Sequence, residues 1–136
     1  MFVRPSAAVY RGRMEPGALA TVTLAVSEED TAVALGSGSV PVLGTPRVVA
    51  LCEQASVEAI NGQLEPGTTT VGVQVMLDHL MPSPIGRVIT AEATLEKVKG
   101  KKLFFTVAAH DDRGLIAAGK VVRVVVDEAA FLAKCD

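Results

Sequence analysis

The chain is expected to adopt an α+β fold in which an antiparallel sheet wraps around one long central helix. Three observations predict it. One helical stretch starts sharply and is apolar around most of its circumference. Four segments rich in valine, threonine and alanine follow it, and branched β-carbons favour pleated strands. Short turns with Gly and Asp separate these segments, so three tight antiparallel connections in a row are expected, whereas βαβ winding needs long crossovers.

Ala20 to Val26 alternates and reads as the first strand. Thr31 to Gly44 contains Gly36-Ser37-Gly38-Ser39 and reads as loop or irregular structure. Thr45 is a preferred N-cap, Pro46 suits the first helical position, and Asn61-Gly62 is a stop signal, so the helix is expected over 46–61. Arg47, Gln54, Glu58 and Asn61 form its narrow polar stripe. Strands are expected over 69–81, 86–98, 103–110 and 115–126. Lys99-Gly100 and Asp111-Asp112-Arg113-Gly114 supply turn chemistry between them. Residues 128–134 read as a short helix. This order fits the hotdog arrangement, with a generic α+β sandwich as the alternative.

Composition narrows the function. The 136 residues make one domain, 1–136, and 49% of them are hydrophobic, which excludes a disordered chain. Thirteen Lys and Arg against fifteen Asp and Glu leave a net charge of −2, so no basic field exists for nucleic acid. No apolar run is long enough to span a membrane, and the first thirteen residues lack the continuous apolar stretch of a signal peptide. Cys52 and Cys135 cannot form a disulfide framework, which points to a reduced, cytoplasmic protein. Two His and two Cys scattered in this way make no zinc site, so no metal is expected.

Three polar residues stand where packing alone would not put them. Thr45 caps the helix, and the N–H groups of that helix start can also bind an oxyanion. Glu53 lies on the helix flank beside Val49 and Ile60, where a carboxylate is costly without a partner. His79 ends a row formed by Val71, Val73, Val75 and Leu77, while Gly72, Gln74, Met76 and Asp78 take the other face. Histidine is suited to proton transfer near neutral pH, and each of the three also has an ordinary structural explanation. His110-Asp111 reads as turn chemistry, and Lys97, Lys99, Lys101 and Lys102 as a solvated hairpin.

Leu43-Gly44-Thr45-Pro46, Ala50 to Ala55, Thr70-Val71-Gly72, His79-Leu80 and Pro84-Ile85-Gly86 together resemble the fluoroacetyl-CoA thioesterase-like family of hotdog proteins. The order and spacing of these pieces match, and Ala109-His110-Asp111 and Gly119 fit the closing strands. The resemblance implies hydrolysis of an acyl-CoA thioester carrying a small acyl group, with Thr45, Glu53 and His79 as the catalytic group. It implies that the backbone of Gly72 serves the thioester oxygen and that Arg123 lies near the CoA moiety, although Gly119-Lys120-Val121-Val122-Arg123 stands where the family reads G-T-H-E-R. It implies a homodimer or higher homo-oligomer with the site near the subunit interface, and no cofactor beyond the coenzyme A of the substrate. Gly36 and Ser39 occupy positions where the fluoroacetate-specific member has aromatic side chains, which speaks against a dedicated fluoroacetyl-CoA role.

Two other functions compete. A non-catalytic hotdog that binds acyl-CoA would share the fold, since fold alone does not establish activity. A hotdog hydratase would carry an Asp-His pair near the start of the helix, and no His precedes His79 here.

Overall fold

The computed structural model describes residues 14–136. The N-terminal stretch read for a signal peptide lies outside the described residues. Five strands form one antiparallel sheet: β1 (Leu19–Ala25), β2 (Thr68–His79), β3 (Val88–Lys99), β4 (Lys102–Asp111) and β5 (Gly114–Asp127). Three helices accompany them: α1 (Ala32–Leu35), α2 (Thr45–Ala59) and α3 (Glu128–Ala133). The helix–sheet architecture and the strand positions agree with the expectations.

The strand order is β1-β3-β4-β5-β2. This corrects the expectation of three successive tight connections. β3, β4 and β5 do form a meander, joined at Gly100-Lys101 and Asp112-Arg113. β2, however, pairs with β5 rather than with β3, so the chain from Leu80 to Arg87 crosses the sheet end before entering β3. Strand neighbours are set by which edge remains open once the meander has formed, and local turn signals do not report that.

α2 lies in the trough of the curled sheet. Its Val48, Leu51, Cys52 and Ala55 pack against Ile89, Ala91, Ala93, Leu95, Phe105, Val107 and Val121, all buried. Alanines on β3 and β4 let the helix approach closely, while Gln54, Val57 and Glu58 remain exposed. The 31–44 segment is not uniformly irregular. A 3-10 turn at Glu28–Asp30 leads into α1, which Thr31 caps and Gly36 ends with φ +70°.

The start of α2 is corrected by one residue. Gly44, not Thr45, is the N-cap, and Thr45 is already helical. The reason is tertiary. A β-carbon at Gly44 would come within 3.0 Å of the Cα of Ala32 and the Cδ1 of Leu35, so only glycine fits that junction. Asp30 ties the same corner together. Its carboxylate accepts from the N–H and the hydroxyl of Ser27 and from Nε of Arg47 at 3.0 Å, and its carbonyl accepts from Gly44 N–H. Burial raises the carboxyl pKa of Asp30, but these donors outweigh it and hold it below its ordinary value.

β2 carries a bulge. Gly72 pairs with Arg123 and Gln74 with Val122, so Val73 is an extra residue with no counterpart. Side chains directly opposite one another share a sheet face. Arg123 and Val121 both face α2, so their partners Gly72 and Val75 do as well. The bulge therefore places Thr70 and Gly72 on the same face as Val75, Leu77 and His79. This corrects the simple alternation, which set Gly72 opposite His79.

Candidate active site

Two clusters face the trough, one at each end of β2. At the C-terminal end, Thr45 Oγ1 and His79 Nδ1 form a hydrogen bond of 2.8 Å. Thr45 is free to do this because it does not cap its helix. The other ring nitrogen, Nε2, is buried and has no partner among the described residues. Burial depresses the imidazole pKa below its ordinary 6.5, and the backbone of Met81 opposes this only in part. The ring is therefore neutral at neutral pH.

A cleft of about 320 Å³ opens beside this pair, lined by Thr45, His79, Val40, Val42, Leu80 and Met81 together with Ser37 and Gly38. Gly36 and Ser39 do not line it. The loop that forms one wall is fastened from outside. Arg113 Nη2 donates to the Pro82 carbonyl at 2.7 Å, and Asp111 holds Arg113 in turn. The Arg113 guanidinium keeps the Asp111 carboxyl down at about 2, assisted by Arg87. Asp111 and Arg113 read only as turn residues in the sequence, and their reach to Pro82 spans 31 positions.

The second cluster lies near the start of β2. Arg123 Nη1 donates to Glu53 Oε2 at 3.0 Å, and the side chain of Glu53 is about one-third exposed. The unpaired carboxylate of the sequence reading thus has a partner. Arg123 stands in a row with the core residues Val121 and Val125, and its charge is satisfied by Glu53, by Thr70 Oγ1 (2.9 Å from Nε) and by the Thr70 carbonyl (3.0 Å from Nη2). The guanidinium thus links the buried Thr70 to the partly exposed Glu53. Gly72 sits directly beneath this pair, where a β-carbon would collide with Glu53 Oε2. Glu53 Oε1 accepts no hydrogen bond among the described residues, and an open cleft lined by Glu53, Gln54, Glu58, Val22 and Arg123 gives access to it.

The sequence candidates therefore fall into two groups, Thr45 with His79 and Glu53 with Gly72 and Arg123. One chain does not bring the groups together. Thr45 and Glu53 are eight residues apart on one helix, about 12 Å along its axis. Thr70 had no assigned role in the sequence reading. Its signal was a Thr two residues before a Gly on a strand that pairs with a strand carrying a buried Arg.

Other candidates play no part here. Cys52 is fully buried, and burial together with the Glu53 charge pushes its thiol up to about 11, so it is no nucleophile. Lys97 lies over the Phe104 ring at 5.2 Å, on the exposed hairpin. Among the described residues no three His, Cys, Asp or Glu gather in a metal-binding group, and no helix is long and apolar enough to cross a membrane.

Known proteins resemble this chain in sequence and in fold. The fluoroacetyl-CoA-specific thioesterase family model matches residues 26–129. The fluoroacetyl-CoA thioesterase of Streptantibioticus cattleyicolor is 36% identical over 93 residues, 68% of this chain and 67% of that protein. A solved structure of a fluoroacetyl-CoA thioesterase superposes with a TM-score of 0.85 at 30% identity, over 90% of this chain and 95% of that one. A Thermus thermophilus hypothetical protein of the thioesterase superfamily gives a TM-score of 0.79 at 27% identity, over 88% of each chain. These relatives favour catalysis over an idle acyl-CoA-binding module, and they do not favour the doubt raised by Gly36 and Ser39. The chain belongs to the fluoroacetyl-CoA-specific thioesterase family and is a hotdog-fold acyl-CoA thioester hydrolase.

Proposed function

We propose that the working enzyme is a homodimer that hydrolyses small acyl-CoA thioesters in sites shared between its two subunits. Fluoroacetyl-CoA, named for the relatives, is the first substrate to test. The observation that carries the reading is His79, with Nδ1 engaged by Thr45 and Nε2 buried and unpartnered.

β2 is an edge strand, so one side of its backbone is unpaired, and its exposed residues include Val73, Val75 and Met76. Such an edge invites another strand. Antiparallel pairing with β2 of a second copy, centred on Met76 and with Val73 uncounted in the ladder, sets Gly72 opposite the second copy's His79. Glu53 of one subunit then meets Thr45 and His79 of the other, which resolves the separation within one chain.

The chemistry uses these atoms directly. Glu53 Oε1 attacks the thioester carbonyl carbon, a C–O bond forms, the C–S bond breaks, and coenzyme A leaves as its thiolate. The developing oxyanion lies by Gly72 and the start of α2. The step uses the tautomer in which Nδ1–H of His79 donates to Thr45 Oγ1 and the Nε2 lone pair is free. Nε2 takes a proton from the water that splits the anhydride, releasing the acid and restoring Glu53. No cofactor is needed beyond the coenzyme A of the substrate. We assign the enzyme to the cytoplasm, since the unpaired Cys52 and Cys135 suit a reducing compartment.

Thiol release from a panel of acyl-CoAs tests the reading. Glu53→Gln and His79→Ala are expected to fold and to lose turnover, and normal activity in both overturns the assignment. Mixing the two inactive variants tests the shared site. Half the dimers are then mixed, each with one intact site, and about a quarter of wild-type activity returns. No recovery after verified subunit exchange places each site within one chain. Hydroxylamine trapping of an acyl hydroxamate supports the anhydride.

A further inference from the structure

We propose that Thr70 is a positioning residue for the hydrolysis, acting through Arg123 on the carboxylate of Glu53. The inference rests on the reading of Glu53 as the reacting group. Thr70 meets the guanidinium at two points, Oγ1 with Nε at 2.9 Å and the carbonyl oxygen with Nη2 at 3.0 Å. Among the described residues, the one side-chain partner of Nη1 is Glu53 Oε2, at 3.0 Å.

The guanidinium is planar and presents its donors in a fixed fork. Two contacts along one edge of that plane, at Nε and Nη2, fix its orientation, and the direction of the third donor follows. Arg123 then holds Oε2 at one place and leaves Oε1 aimed into the open cleft. A guanidinium held by Glu53 alone keeps its charge but can pivot with the carboxylate, and the attacking oxygen loses its fixed direction.

Three features assign this task to Thr70 rather than to generic packing. Thr70 and Arg123 are both 8% exposed, so water does not substitute readily for the hydroxyl. Thr70 pairs with Val125, two residues from Arg123 on β5, which puts its side chain on the same sheet face as the guanidinium. Thr70 also lies on the far side of Arg123 from Glu53, so its effect on the reaction must pass through the guanidinium.

Thr70→Val keeps shape and strand propensity but removes the acceptor, and Thr70→Ser restores it. Both are measured in the full chain beside wild type and Glu53→Gln. Thr70→Val is expected to lower kcat by roughly 10- to 100-fold with KM changed less than about threefold, the mark of lost alignment rather than lost binding. Thr70→Ser is expected to stay within about threefold of wild-type kcat. A serine variant as impaired as the valine one, or a valine variant with wild-type kcat, overturns the proposal. If Thr70→Val fails to fold, the serine arm decides by itself. The two readings fail separately. Full activity in Glu53→Gln removes the reacting carboxylate and this proposal with it, whereas an inactive Glu53→Gln beside a fully active Thr70→Val leaves the reacting carboxylate in place and removes only the role of Thr70.

Discussion

Gly72→Ala separates activity from stability. Gly72 has no positive φ, so its backbone accepts an alanine without strain. The added methyl, however, lands on Glu53 Oε2 and stands 3.2 Å from Arg123 Nη1. The carboxylate has to retreat by about 1 Å, and a misplacement of that size costs on the order of 10²-fold in rate. In transition-state terms this is about 2.7 kcal/mol. Stability should move little. The strained ion pair is offset by the lower entropy of the unfolded chain, about 0.4–1 kcal/mol for Gly→Ala at a compatible position. The assay is kcat/KM for thiol release beside the urea midpoint of the same preparation. Wild-type kcat/KM in a folded variant would refute the reasoning, because it would show that the reaction does not depend on where this carboxylate rests.

Two further predictions concern the same strand. Because burial depresses His79, the folded protein takes up this proton less readily than the unfolded chain does. Its contribution to stability is present above the ordinary pKa of 6.5 and is lost as pH falls through the lower folded value. Activity that depends on neutral His79 should accordingly have an acid limb below pH 6.5, and a limb centred above 6.5 counts against it. Gly119→Ala would drive a β-carbon into the Met76 carbonyl oxygen and to within 2.8 Å of the Leu77 Cα, both backbone atoms that cannot rotate away. β2 must then lift from β5, at a cost of about 1–3 kcal/mol in the urea midpoint. A change under about 0.5 kcal/mol would show that the strands already have slack.

Much of the fold was legible because its signals are local. Segments rich in valine, threonine and alanine marked the strands, and Gly100 and Gly114, both with positive φ, marked the hairpin turns. What escaped was non-local. The hydroxyl of Thr45 has the chemistry of a cap, but His79, 34 residues away, engages it instead. The extra residue at Val73 depends on the register with β5, which no window of β2 contains. Glu53 could be seen to need a partner, and the identity of that partner waited on Arg123, 70 residues on, being folded back over Gly72.

The bulge also bears on how the chain can vary. Because Val73 is uncounted in the ladder, Gly72 and Gln74 already pair with consecutive residues of β5, Arg123 and Val122. Replacing Val73 by another residue leaves those pairings intact. Deleting it leaves Gly72 and Val75 two apart, in ordinary alternation, so Thr70 and Gly72 stay on the face of His79. One residue can therefore be lost at this point without turning either half of the strand.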